Sequence, residues 1–106
     1  MANTLGEELS GSVSNITALI VKTASKSERT RLLRQQAQIA GQLQVFVDKV
    51  VDEALPEYDA AAEALNEANN EAAAAKKKLD KVAGTIKKFA AAIDKLAALA
   101  AKVAAA

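Results

Sequence analysis

The sequence predicts an all-α protein, and three observations lead to that prediction. Alanine dominates the second half of the 106-residue chain, which has two Phe, one Tyr and no Trp, so strand-forming residues are scarce. Pro56 is the single proline, so helix-breaking residues are scarce as well. Apolar residues recur at steps of three and four, which places them on one face of a helix. We expect one helical domain over residues 1–106.

The first helix is expected over about residues 4–24. Thr4 followed three residues later by Glu7 fits a capping box, in which each side chain satisfies a backbone N–H at the helix start. Apolar residues then follow at helical spacing, including Leu9 and Ile16. Several Gly and Ser residues lower the helix propensity of this segment, so we expect it to depend on packing.

The second helix is expected over about residues 27–54. Ser25 and Glu28 form a second capping-box pattern at its start. Its apolar stripe, which includes Leu32, is broad and therefore suits a helix with two neighbours. Pro56 ends this helix, because the residue before a proline is disfavoured in helical geometry.

The third helix is expected over about residues 56–105, since proline suits the first helical position. Apolar and small residues repeat without a slip from Leu65 to Val103, which forms a heptad seam. The predicted architecture is therefore three antiparallel helices with a long C-terminal heptad-patterned helix. The alternative is a four-helix bundle with a turn at Gly84, capped by Thr85, although the seam keeps its phase through that glycine.

Composition excludes most familiar catalytic chemistry. The chain has no Cys and no His, so thiolate nucleophiles, zinc-thiolate sites and the commonest general base are absent. Acidic residues spaced four apart, from Asp59 to Glu71, could gather a hard cation weakly, but such a stripe usually forms an exposed helix face. We therefore predict no catalytic residues, no metal site, no cofactor and no enzymatic activity.

A cluster of basic residues is the second candidate feature. If the second helix turns back at Pro56, its arginines come level with the lysines that follow the alanines of residues 72–75. The net charge of +1 and the lack of aromatic residues among these lysines make nucleic-acid binding a weak alternative. The possible polyanion patch consists of Arg29, Arg31, Arg34, Lys76, Lys77, Lys78 and Lys81.

The long third helix is expected to extend past the end of the second, which leaves the last part of the seam without a cover inside the chain. Burying this overhang would contribute on the order of 10 kcal/mol before ordering costs. We therefore predict a homodimer or larger assembly, or a partner helix, and a function as a non-enzymatic helical oligomerisation or adaptor module. The predicted association residues are Ile86, Phe89, Ile93, Leu96, Leu99 and Val103.

A peripheral membrane-associating protein is the alternative function. The segment KKFAAAIDKLAALAAKVAAA, residues 87–106, has the pattern of a weakly cationic amphipathic surface helix. No uncharged apolar stretch reaches the roughly 20 residues that a spanning helix needs. The N-terminus has acids before its apolar run, which does not resemble a secretory signal, so the expected compartment is the cytoplasm.

Overall fold

The structure, a computed structural model, describes residues 5–48 and 55–105. Every regular element in this part of the chain is helical, which confirms the all-α class. The elements are α1 (Leu5–Lys22), α2 (Lys26–Asp48), α3 (Pro56–Lys77), a short 3-10 helix (Leu79–Lys81) and α4 (Val82–Ala105).

The α1–α2 connection is short and closed by hydrogen bonds. The Thr23 backbone N–H donates to the Leu19 carbonyl at 2.8 Å and completes the last turn of α1. The Ser25 hydroxyl oxygen accepts the Glu28 backbone N–H at 3.3 Å, which confirms the predicted cap of α2. The predicted cap at Thr4 and the predicted part of the second helix beyond residue 48 lie outside the described residues.

Helix α3 begins at Pro56, as predicted. Leu55 has extended backbone angles, φ −66° and ψ 133°, as expected for a residue that precedes proline. Glu57 and Asp59 occupy the first turn, where carboxylates interact favourably with the helix dipole.

The prediction of one continuous helix over residues 56–105 is wrong. The chain forms four helices, as in the alternative, but the alternative placed the turn at the wrong residue. Helix α3 ends at Lys77, and Lys78 is extended with φ −132° and ψ 98°. The turn therefore lies at Lys78 and not at Gly84, which falls near the start of α4. Thr85, the predicted cap, is buried inside α4, and its hydroxyl donates to the Lys81 carbonyl at 3.1 Å.

The helix ends at Lys78 because ending it there loses few backbone hydrogen bonds and allows the apolar seam residues to be buried against the other helices. The Lys78 N–H still donates to the Ala74 carbonyl, and the Lys81 N–H donates to the Lys78 carbonyl, both at 3.0 Å. Folding back buries the large apolar residues of α4, each worth about 1.5 to 3 kcal/mol. Leu79, a seam position at the turn, stays 44% exposed.

Each helix packs against two neighbours around a shared core. Helix α1 contacts α2 and α3, and α4 also contacts α2 and α3, so the pairs α1/α4 and α2/α3 lie across the diagonals of the bundle. The α-carbon trace measures 43 × 26 × 17 Å along its principal axes.

Hydrogen bonds between the two hairpins give the helix directions. The Gln35 and Gln42 side chains donate to the carbonyls of Ile86 and Ile93, at 2.8 and 3.2 Å, with the same sequence separation of 51 residues. Helices α2 and α4 therefore run parallel.

Helices α1 and α3 run parallel too. The Leu5 N–H donates to the Tyr58 hydroxyl at 3.3 Å, and further along both helices the Asn15 amide donates to Asn69 Oδ1 at 2.9 Å. Since α1 and α2 form one hairpin and α3 and α4 form the other, both hairpin turns lie at the same end of the bundle.

The core combines large side chains from α1, α2 and α4 with Leu65 and several alanines from α3. Ala68, Ala72 and Ala75 are fully buried, and all three belong to the predicted seam. Their small side chains allow neighbouring helices to approach closely. The large side chains with no exposure include Leu9, Ile16, Leu19, Leu32, Ile39, Leu65, Phe89, Leu96 and Leu99.

Replacing Gly84 by alanine is expected to stabilise the fold by about 0.5 to 1 kcal/mol, because glycine is a poor helix former. An added Cβ would meet Glu71 Oε1 at 3.5 Å, an ordinary van der Waals distance. Chemical denaturation of Gly84→Ala measures the change, with Gly41→Ala as the reference because an added Cβ there would meet no atom within 4 Å beyond the neighbouring backbone of α2. A destabilised Gly84→Ala beside a stabilised Gly41→Ala would show that α3 and α4 cannot accept the extra methyl group.

Candidate functional site

The six predicted association residues lie in the core of the chain itself. Phe89, Leu96 and Leu99 have no exposed area, and Ile86, Ile93 and Val103 are 8 to 9% exposed. The apolar spacing predicted a long helix with an uncovered end, whereas α2 and α3 cover this face of α4. The prediction that the seam extends uncovered beyond the second helix is therefore wrong, and the closed bundle does not present these residues to a partner.

The basic residues gather at the end of the bundle that holds both hairpin turns. Lys22 and Lys26 flank the α1–α2 turn, and Lys77 and Lys78 form the α3–α4 turn. The parallel register of α2 and α4 places Arg31 of α2 at the level of residue 82, the start of α4. We call this region the basic end, and its cations are Lys22, Lys26, Arg29, Arg31, Arg34, Lys76, Lys77, Lys78 and Lys81.

The basic end is strongly charged and open to solvent. Nine cations are accompanied by three acids, Glu28, Glu71 and Asp80, which gives a formal charge of +6. The other residues therefore sum to −5, because the whole chain carries +1. All nine cations except Lys76 are exposed, and Lys76 is half-buried with its amino group donating to Asn15 Oδ1.

Ion pairs do not neutralise this charge in the described part of the chain. The two ion pairs found there join α3 to α4, between Lys88 and Glu67 at 3.7 Å and between Lys102 and Glu57 at 3.9 Å. Neither pair includes a cation of the basic end. Its positive field is therefore available to an external anion, subject to screening by salt.

Exposed apolar side chains are mixed with these cations. Val21 is 82% exposed, Leu33 51% and Leu79 44%. Val21 and Leu33 line one open cleft of about 450 Å³ together with Lys26 and Arg29. This combination cannot be read from the sequence, because Val21 and Leu33 border apolar stripes and only the packing shows that they face outward.

The opposite end of the bundle is acidic. It holds the start of α1 and α3 and the end of α4, since Leu5 contacts Tyr58 and Lys102 pairs with Glu57. Acids near this end include Glu7, Glu57, Asp59 and Glu63, and the cations among the described residues there include Lys102 and Lys95, which lies beside Pro56 and Glu57. The bundle therefore has a positive end and a negative end.

Neither a metal cluster nor a spanning helix is present in the described ranges. No group of three or more acidic side chains is placed to hold a metal ion in residues 5–48 and 55–105. The acidic stripe of α3 lies at the surface, with Asp59, Glu63 and Glu67 exposed. Across the same ranges, no helix combines the length and the apolar character needed to cross a bilayer.

Comparisons with protein-family models, with curated proteins and with solved structures found no match to this chain.

Proposed function

We propose that the protein is a non-enzymatic adaptor module that attaches to anionic membrane surfaces through its basic end. The observation that carries this proposal is the placement of exposed apolar residues among the cations. Of four large hydrophobic residues exposed in the described chain, Val21, Leu33 and Leu79 lie at the basic end. Val45 is the fourth.

The positive charge of the basic end supplies the attraction to an anionic membrane. A Lys or Arg close to an anionic leaflet contributes about 1 kcal/mol, and the effect falls off within a Debye length. Residues from two turns and two helices form the basic end, so several cations can face a flat surface together. The cytoplasmic leaflet is the anionic face of most cell membranes, which keeps the cytoplasm as the proposed compartment.

The apolar residues favour a membrane over a nucleic acid. Val21 and Leu33 can enter the boundary between headgroups and acyl chains, which adds a contribution that salt does not screen. Duplex DNA offers Val21 and Leu33 no comparable apolar environment. Nucleic-acid binders that stack on bases use aromatic side chains, and the basic end contains none. Docking a partner helix along the seam is not proposed, because that face is filled inside the bundle.

Flotation with lipid vesicles tests the proposal. We expect binding to vesicles that contain phosphatidylserine and none to pure phosphatidylcholine vesicles. Raising the salt from about 0.05 to 0.5 M should weaken binding at least about tenfold, since the Debye length shortens from about 14 to about 4 Å and fewer cations act on the surface charge. The proposal would be overturned if the protein did not bind to phosphatidylserine-containing vesicles at the lower salt concentration.

Two matched pairs of variants separate charge from apolar insertion. Lys77→Glu should weaken vesicle binding by at least about tenfold, and Lys95→Glu, the same charge reversal on the outer face of α4, should change it little. Val21→Ser should also weaken binding, whereas Val45→Ser makes the same chemical change away from the basic end.

Duplex DNA serves as the competing ligand in the same experiment. If DNA binds as tightly as the vesicles and Val21→Ser has no effect on either, the basic end is a general polyanion site and the membrane proposal fails.

A further inference from the structure

A second cleft adjoins the cleft of Val21 and Leu33, and cations and hydroxyl groups line it. It is an open cleft of about 560 Å³ along the first turns of α2. Residues three and four apart are neighbours on a helix surface, so the spacing of its cations brings them together on one face of α2. We call this region the basic cleft and its neighbour the apolar cleft. The basic cleft is lined by Lys26, Ser27, Thr30, Arg31 and Arg34.

The basic cleft concentrates positive charge, because none of its lining residues in the described chain is acidic. Lys26, Arg31 and Arg34 are exposed, and none of them takes part in the two ion pairs found in residues 5–48 and 55–105. Glu28, the acid in the first turn of α2, does not line the cleft. Three cations on one face suit an anionic group that carries more than a single negative charge.

A phosphate monoester fits the basic cleft better than other anionic groups of lipids. Near pH 7 it carries a charge of about −1.5 to −2 and offers three strong acceptor oxygens. A guanidinium group binds phosphate through two parallel N–H···O bonds, which both Arg31 and Arg34 can form. The Ser27 hydroxyl adds a further donor at the same face. A carboxylate or a phosphodiester carries only a single negative charge and would leave cations of the cleft without a partner.

The adjoining apolar cleft indicates that the phosphate belongs to a lipid. The two clefts share Lys26 and Thr30 along their common border. Ile20, Val21 and Leu33 line the apolar cleft. A lipid headgroup in the basic cleft would therefore have an apolar surface beside it for the start of the acyl chains. A free phosphate ester would leave that surface exposed to water.

We infer that the basic cleft binds the phosphate monoester headgroup of an anionic lipid such as phosphatidic acid, with the acyl chains of that lipid against the apolar cleft. The inference rests on the proposed function, to which it adds a preference among anionic lipids. Net charge alone does not produce such a preference, because it attracts the protein to any anionic surface.

Vesicles of equal surface charge test the preference. One kind contains phosphatidylserine and the other phosphatidic acid, with the lipid fractions adjusted until both kinds have the same electrophoretic mobility. We expect at least about fivefold tighter binding to the phosphatidic acid vesicles. Arg31→Gln should abolish this preference. The matched control Lys77→Gln removes the same charge outside the basic cleft and should weaken binding to both kinds of vesicle equally.

The possible outcomes separate this inference from the proposed function. Equal binding of the unaltered protein to the two kinds of vesicle would overturn the inference and leave membrane attachment standing. Absence of binding to either kind would overturn the proposed function and the inference with it. If Lys77→Gln reduced the preference as much as Arg31→Gln, recognition would lie outside the basic cleft, and the assignment of the site would be wrong.

Water-soluble ligands distinguish a lipid from a free phosphate ester. Titration calorimetry with glycerol phosphate and with dihexanoyl phosphatidic acid compares the same phosphate group without and with acyl chains. We expect the dihexanoyl ligand to bind at least about tenfold tighter, because its chains cover the apolar cleft. Leu33→Ser should remove most of this difference, and Val45→Ser, which exchanges an exposed apolar residue outside the cleft, should keep it. If glycerol phosphate bound as tightly as the dihexanoyl ligand, the site would take a free phosphate ester, and the lipid assignment would be overturned.

Discussion

Phe89→Asp is expected to unfold the isolated chain. Phe89 has no exposed area in the bundle core, and removal of a buried Phe side chain alone costs about 3 to 5 kcal/mol. The new carboxylate adds the cost of a buried polar group without a partner, about 1 to 3 kcal/mol or more. The sum is comparable with the 5 to 15 kcal/mol that a typical domain has in total. Far-UV circular dichroism should show loss of most helix at 25 °C.

The matched control for this variant is Ala90→Asp, one residue further along α4. Ala90 is exposed, so the change is expected to cost less than about 1 kcal/mol, mainly through lower helix propensity. If Phe89→Asp kept the full helix content and became monomeric instead, Phe89 would lie between chains, and the closed four-helix bundle would not be the form in solution.

Asn69→Ala is expected to destabilise the fold by about 2 to 4 kcal/mol, because Asn69 holds the polar contact between α1 and α3. Its Oδ1 lies 3.0 Å from the Ser12 hydroxyl and 2.9 Å from the Asn15 amide. Its Nδ2 donates to the Glu8 carbonyl at 3.2 Å and to the Glu8 carboxylate at 3.0 Å. Alanine would leave these partly buried groups with fewer partners.

Asn70→Ala provides the comparison for Asn69→Ala. Asn70 is exposed and its amide donates to Asn66 of the same helix at 3.2 Å, so its loss should change the free energy of unfolding by less than about 0.5 kcal/mol. Urea denaturation of both variants measures the difference. Equal free energies of unfolding for the two variants would mean that the hydrogen bonds between α1 and α3 stabilise the fold no more than hydration of the same groups does in the unfolded chain.

The features of the fold that could be predicted depend on residues close to one another in the sequence. Ser25 caps α2 through a hydrogen bond to a residue three positions away, and Pro56 starts α3 through its fixed backbone angle. The seam residues were also identified as apolar positions that must be buried. Their spacing, however, is the same whether the helix continues or folds back on itself, because a packed hairpin uses the same heptad positions as a long coiled coil.

The turn at Lys78 could not be located from the residues around it. It contains neither glycine nor proline, and Gly84, the only local signal, lies inside α4. The outcome depends on long-range burial, in which α2 and α3 cover the residues from Ile86 to Val103. The exposure of Val21 and Leu33 was not predicted for the same reason. An apolar stripe in the sequence does not show which of its outer residues are covered by a neighbouring helix and which face solvent.

The path of the chain sets which parts of the protein are accessible while the basic end is occupied. Leu5, at the start of α1, contacts Tyr58, and Lys102, near the end of α4, pairs with Glu57, so both described extremities lie at the acidic end. The bundle is 43 Å long, and a fluorescent label on either extremity would therefore stand roughly that far from a surface held by the basic end. Energy transfer from such a label to a lipid-bound acceptor would report the upright orientation of the bundle, because a molecule lying flat would bring the label to the surface.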